Sequence, residues 1–304
     1  MAKRSTTTSS NFLKCPISNA YNLDKIKQVK QYRRVGASEL REIVAIDTET
    51  YNGNIIVLAD SDGNYIDYPH ITMENVISFL FKHVGKWIFC YNLGFDGDII
   101  SKLLGYLLNQ YIETGRLVFA YVDSKGRKYK IKYIENKSLT ISHNKHAVTI
   151  YDIAQFYDKS PLAKAYTDNL KLPLPQDYIA MKTKRAYFTF RYYRDHKKGV
   201  RHYCIQDCLF TKALAEHWAR TFYDTYNFYP ARWLSAGYLA EKVLIANNVN
   251  IPYFNEIAYP IQKQARACFY GGRFEMFYKG FVGKGYEYDI NSAYPCALTT
   301  IPDL

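Results

Sequence analysis

The stretch Ile43-Val44-Ala45-Ile46-Asp47-Thr48-Glu49-Thr50, IVAIDTET, sets four apolar residues against two acids spaced by one position. A short unbroken apolar run of this kind reads as a strand covered on both faces. Successive strand side chains alternate faces, so Asp47 and Glu49 point one way and Thr48 the other. Asn52-Gly53 supplies a hairpin turn into the alternating run NIIVLAD, and Ser61-Asp62-Gly63-Asn64 turns the chain back through YIDY. Next, MENVISFLFKHV (73–84) has helical spacing and WIFCYN (87–92) reads as a buried strand, with a helix expected from about Asp96 to Leu108. The order βββαβα predicts an α/β fold with a mixed sheet flanked by helices, as in ribonuclease-H-like nucleases, rather than a parallel sheet of βαβ units.

Beyond this core, LVFAYV, KYKIKYI, LTISH and HAVTIYD alternate between turns at SKGR, ENKS and NK, which predicts hairpin strands extending the sheet or projecting from it. Helical patterns return at about 200–226 and 231–248. A glycine-punctuated, strand-like segment, FYGGRFEMFYKGFVGKGYEYDINSAYP, then suggests the start of another domain. The expected organisation is a basic, partly disordered lead over 1–40, a first domain over 41–228, and a linker helix with an incomplete second domain over 229–304.

The formal net charge of +12 favours a polyanionic partner, nucleic acid foremost. Apolar runs fall short of the roughly 18 residues that a membrane span needs, and MAKRSTTTSS has no apolar core for a secretory signal. Six scattered cysteines suggest a reducing compartment. Cys204 and Cys208 share a helix face, but no CxxC or paired histidine completes a zinc site, so core packing is expected of them.

Asp47, Glu49, Asp96 and Asp207 each lie at the end of or beside an apolar run. Like charges gathered from distant segments repel, and a fold that gathers them does so to hold divalent cations. Two hard cations held by oxygen ligands stabilise both the attacking and the leaving oxygen of a phosphodiester displacement. Tyr203 and Asp207 are four apart on a helical pattern and share a face, so the tyrosine hydroxyl could hold a water beside the acid. Each element alone has a plainer reading: D-x-E pairs are common on surface strands, and Asp96 sits where an acid caps a helix.

Taken together, D-x-E, N-x-x-F-D and Y-x-x-x-D occur in the order of the three exonuclease motifs of B-family DNA polymerases, and the chain resembles the proofreading domain of that family. The resemblance implies a 3′–5′ exonuclease of the DEDDy type, with Asp47, Glu49, Asp96 and Asp207 binding two Mg2+ or Mn2+ ions and Tyr203 catalytic. It also places Thr50, Asn92 and Phe95 against the single-stranded 3′ end. Downstream, Phe269-Tyr270-Gly271-Gly272 resembles the linker motif of protein-primed members, usually Tyr-x-Gly-Gly, and so puts Tyr270, Gly271 and Gly272 on DNA. Asp289-Ile-Asn-Ser292-Ala-Tyr294-Pro295 resembles polymerase motif A, in which Asp289 binds metal and Tyr294 excludes a ribose 2′-hydroxyl, with Ser292 between them. The sequence stops at Leu304, before the later palm motifs, so the resemblance implies the N-terminal portion of a longer polymerase.

Between Lys182 and His202, eight basic residues interleave with aromatic ones, as a single-strand channel requires. The alternative is a solvated basic helix whose aromatics face the core. Lys159 with Leu162 resembles the family's K-x-x-hydrophobic element, which would place Lys159 on DNA. The implied partners are single-stranded and primer-template DNA and a terminal priming protein, without a membrane. The implied location is intracellular, in a mitochondrion carrying a linear plasmid or in a virus-infected cell. The rival readings are a free-standing single-strand exonuclease and a non-catalytic DNA-binding or primer-protein-docking fragment.

Overall fold

Alternation of apolar residues on β-branched strands builds one mixed sheet, and the computed structural model describes residues 36–37, 39–103, 118–185 and 189–247. These lie within the unit Gln31–Ile251. The short strand β1 (Gly36–Ala37) precedes β2 (Ile43–Tyr51), β3 (Asn54–Asp60) and β4 (Tyr65–Asp67), which follow one another as an antiparallel meander. Helix α1 (Met73–Phe81) leads to β5 (Trp87–Cys90) and then α2 (Leu93–Lys102). The hairpin series β6 (Val118–Val122), β7 (Lys128–Ile134), β8 (Ser138–His143) and β9 (His146–Asp152) comes next. Helices α3 (Leu162–Leu170), α4 (Gln176–Lys184), α5 (Phe190–Asp195), α6 (Lys197–Tyr226) and α7 (Ala236–Ala246) complete the described chain, with β10 (Tyr229–Pro230) pairing β1.

The strand order is β4-β3-β2-β5-β9-β8-β7-β6. β5 lies parallel to β2 and β9 parallel to β5, while every other pair in this sheet is antiparallel. An antiparallel meander whose first strand is flanked by parallel additions is the ribonuclease-H-like arrangement. The hairpin series continues the sheet past β9 rather than projecting from it.

Helices cover both faces, and period-2 alternation decides what each face receives. Ile46, Leu58, Ile88 and Cys90 pack with Val76 and Leu80 of α1 and Ile99 and Ile100 of α2. On the other side Val57 and Ala59 pack with Tyr203, Cys204 and Cys208 of α6, and Trp87 and Phe89 with Leu214 and Phe222 farther along it. At 30 residues α6 runs about 45 Å at 1.5 Å per residue. Its buried stripe Val200, Tyr203, Cys204, Asp207, Cys208, Thr211 and Leu214 keeps helical spacing across β2 and β3.

Several sequence expectations are corrected. α2 begins at Leu93, so Asp96 lies inside the first turn and is buried, and Asn92 takes the capping position. β3 is covered on both faces rather than alternating, because α1 and α6 enclose it from opposite sides. The pattern at 231–248 yields a helix that starts at Ala236, where the Ser235 side chain accepts from the Tyr238 backbone N–H. Helices α3, α4 and α5 had no clear periodic signal, being short and largely polar on their outer sides. The lead over 1–35, the end of the helix expected to reach Leu108, and the glycine-punctuated segment after 250 lie outside the described residues.

Candidate nuclease site

β2 delivers Asp47 and Glu49 to the face covered by α6, as the two-residue spacing requires. Cys204 of α6 meets Asp47, its thiol 3.6 Å from Asp47 Oδ2. One ligand atom from each of Asp47, Glu49 and Cys204 lies within 4.8 Å of the others. Asp207, one turn along α6, is buried and accepts a hydrogen bond from the Tyr178 hydroxyl at 2.8 Å. Tyr203, also buried, stacks on the Tyr178 ring with centroids 5.0 Å apart.

Asp96 arrives from α2 on the opposite side. Thr48 points away from Asp47 and Glu49, and its hydroxyl donates to Asp96 Oδ1 at 2.5 Å. The position of α2 depends on a close approach to the hairpin series. A Cβ on Gly97 would come 2.6 Å from the Tyr133 ring, and the Tyr133 hydroxyl donates to Asp98 at 3.0 Å. At the other end, the buried carboxylate of Asp152 accepts the N–H of Asn92, in the left-handed region at φ 66°, at 3.0 Å and that of Ala154 at 2.9 Å. The hairpin extension and the end of β9 therefore aim the first turn of α2.

Electrostatics record the gathering. Burial first, then the charges of Asp96, Asp207 and Glu49, push the Asp47 carboxyl well above the usual range. Burial raises Glu49 to about 8, with Arg185 opposing and Asp207 and Asp96 adding to it. Asp96 is raised by burial to about 7 despite the Thr48 hydrogen bond. Burial lifts Asp207 to about 6 against the Tyr178 hydrogen bond and the charges of Arg185 and Lys182. The Arg185 guanidinium, half-exposed at the end of α4, lies 3.9 Å from Glu49 Oε2. Glu49 Oε1 is buried with no hydrogen-bond partner. Asp47 and Glu49 thus converge with Cys204, Asp96 and Asp207 add charge around them, and the Arg185 guanidinium faces Glu49.

A family model of type B DNA polymerases, organellar and viral, matches residues 38–302. The chain belongs to that family. No curated protein matches it. The other sequence-expected residues of this type B polymerase are distributed as follows. Thr50 follows Glu49 across a register shift and pairs with Ile55. Asn92 and Phe95 are exposed at the start of α2. Lys159 is exposed in the turn after β9, which the Tyr91 hydroxyl ties to the α2 end by donating to the Ser160 carbonyl. Tyr270, Gly271, Gly272, Asp289, Ser292 and Tyr294 lie outside the described residues.

The described part of the basic stretch before Tyr203 is divided among α4, α5 and α6, and some of its side chains are engaged within the fold. Arg201 and the Tyr193 hydroxyl both hold Asp67 of β4, the tyrosine at 2.6 Å, while His202 pairs with Asp177 at 2.9 Å. Sequence reasoning missed Tyr178, the one buried residue of a polar helix. It assigned Cys204 to packing alone, and its burial agrees, but its thiol also faces Asp47. Among the described residues no helix is long and apolar enough to cross a membrane.

Proposed function

We propose that the region around Asp47 is the 3′–5′ proofreading exonuclease of a type B DNA polymerase, hydrolysing phosphodiester bonds at the 3′ end of single-stranded DNA. In this reading Asp289, Ser292 and Tyr294 open the polymerising site that follows. One observation carries it: Asp47 and Glu49 of β2 converge against α6, where burial and the charges of Asp96 and Asp207 raise both, and burial raises Asp96 and Asp207 in turn. A fold retains such a cost when cations repay it in the working state.

The residues fit divalent cations. Asp47 and Glu49 offer carboxylate oxygens suited to Mg2+ or Mn2+, with the Cys204 thiol beside them, and the orphaned Glu49 Oε1 is a buried acceptor awaiting a positive partner. Asp47, Glu49, Asp96 and Asp207 would hold the ions, which supply charge to the attacked phosphate and lower the pKa of bound water. Tyr203, its ring fixed against Tyr178, orients the attacking water. Tyr178 fixes Asp207 through its hydroxyl. Exposed Phe95 offers a stacking face to the terminal base, and Asn92 and Thr50 offer polar contacts beside it. Lys159 reaches the strand from the turn after β9, and Arg185 is placed to meet phosphate oxygens.

The test is to incubate the protein with 5′-labelled single-stranded DNA and Mg2+, with EDTA and Asp47→Ala as controls. The expected result is a ladder of shortened products lost in both controls. Tight binding with no shortening would overturn the reading in favour of a non-catalytic DNA-binding protein.

A further inference from the structure

The edge of the sheet beside the acids carries a surface that neither the acid chemistry nor the core explains. Glu49 pairs with Val57, and Val57 with Asp67 of β4. Residues directly opposite in a ladder point to the same face, so Asp67 lies on the α6 side with Glu49, about 10 Å away at two strand spacings. Asp67 itself is consumed, held by Arg201 and the Tyr193 hydroxyl. Around it three aromatic rings remain open: Tyr65, Tyr68 and Phe190 are 43%, 47% and 39% exposed. Tyr68 and Phe190 meet edge to face at 4.8 Å, so each props the other upright. The Arg201 guanidinium lies 4.5 Å over the Tyr65 ring. Exposed Arg191 and half-buried Lys197 stand on the adjoining helices with no ion-pair partner among the described residues. Chain order joins this patch to the acids, since Arg185 beside Glu49 precedes Phe190 by five residues.

We propose that Tyr65, Tyr68 and Phe190, with Arg191, Lys197 and Arg201, form a second binding subsite for single-stranded DNA, holding nucleotides upstream of the 3′ terminus delivered to the acids. This rests on the exonuclease reading for its direction along the strand. The chemistry selects the ligand. Exposed π faces stack bases of any sequence, and cations beside them meet a phosphate backbone. A peptide or apolar partner would use the rings but not the cations beside them, and the net charge of +12 favours a polyanion. Phe95 at the acid pocket would take the terminal base, while the Tyr68 and Phe190 pair grips the strand behind it and makes affinity depend on length.

The experiment compares 5′-fluorescein-labelled oligothymidylates of two and ten nucleotides by anisotropy in EDTA, so that nothing is cleaved. Tyr68→Ala with Phe190→Ala is expected to weaken decamer binding about 10-fold or more and to leave the dinucleotide unchanged. Tyr68→Phe with Phe190→Tyr keeps both rings and is expected to restore the decamer. With Mg2+ the alanine pair should raise KM for the decamer and leave kcat unchanged. If the double variant fails to fold, Phe190→Ala alone is read in the same way. Unchanged decamer binding, an equal loss for the dinucleotide, or an equal loss for a blunt decamer duplex would each overturn the proposal. The two readings fail separately. A decamer held through these rings but never shortened refutes the exonuclease and leaves the subsite, whereas shortening indifferent to the rings refutes the subsite alone.

Discussion

Two neighbouring places on the sheet bury carboxylates and treat them in opposite ways. Asp60 ends β3 beside Ile46, and the next pair along the ladder is Asp47 with Ala59. The oxygens of Asp60 accept the backbone N–H groups of Asp62 and Asn64, each at 2.9 Å, and the Asn64 amide, and they meet His83 Nε2 at 3.0 Å. Burial alone would raise Asp60, but those hydrogen bonds outweigh it and hold the carboxyl below its usual range. Around Asp47 the neighbours are other acids, and all four rise. The difference teaches how to tell a structural acid from a working one: around the first, hydrogen-bond donors outweigh burial, and around the second they do not.

Four substitutions and conditions can break or sharpen that contrast. The largest effect is expected in catalysis. Asp47→Ala should reduce release of labelled nucleotide by about 1000-fold or more, several kcal/mol of transition-state stabilisation, while leaving the urea midpoint in EDTA unchanged or higher. A drop in both would mean that Asp47 is structural. Asp60→Ala should do the reverse: it leaves buried donors unpaired and costs on the order of 3 kcal/mol of stability, read by urea unfolding, while the folded protein keeps its nuclease rate.

The two regions should also answer pH with opposite signs when metal is removed. The cluster acids have folded values raised to about 8, 7 and 6 for Glu49, Asp96 and Asp207. Their contribution to stability is therefore complete below the unfolded value of about 4 and is lost as pH rises through 6 to 8. Asp60 is lowered, so its contribution is present above about 4 and lost as pH falls through its folded value. Urea unfolding in EDTA from pH 5 to 8 should show falling stability, and Mn2+ should flatten that slope. A flat profile without metal would contradict the uncompensated burial of these carboxyls. The smallest effect is expected at Tyr178→Phe. It removes one hydrogen bond to a charged group, worth about 1.5 kcal/mol or a rate loss of about 10-fold, with the acid limb of the rate profile moving upward as Asp207 becomes harder to ionise.

How much of this was legible follows from which interactions are local. β2, its hairpin into β3, α1, β5 and the hairpin series were readable because strand alternation and turn residues are written in neighbouring positions. The shared direction of Asp47 and Glu49, and of Tyr203 and Asp207, followed from the same periods. Asp96 was placed at a helix cap because the sequence does not announce that Asn92, in the left-handed region, starts α2 three residues earlier than its apolar pattern. The three helices between 162 and 195 were missed because their contacts with the sheet rest on few buried residues, Tyr178 and Tyr193 among them. Arg185, Thr48 and Cys204 gain their importance only from long-range approach. No period in their own segments marks it.

The account rests on the four acids forming one cation site. The most direct measurement is a Mn2+ titration followed by electron paramagnetic resonance, on the wild-type chain and on Asp47→Asn with Asp207→Asn. The account predicts that the wild type binds two more equivalents of Mn2+ than the double variant, which keeps its fold. Equal stoichiometry and affinity in the two proteins would contradict it.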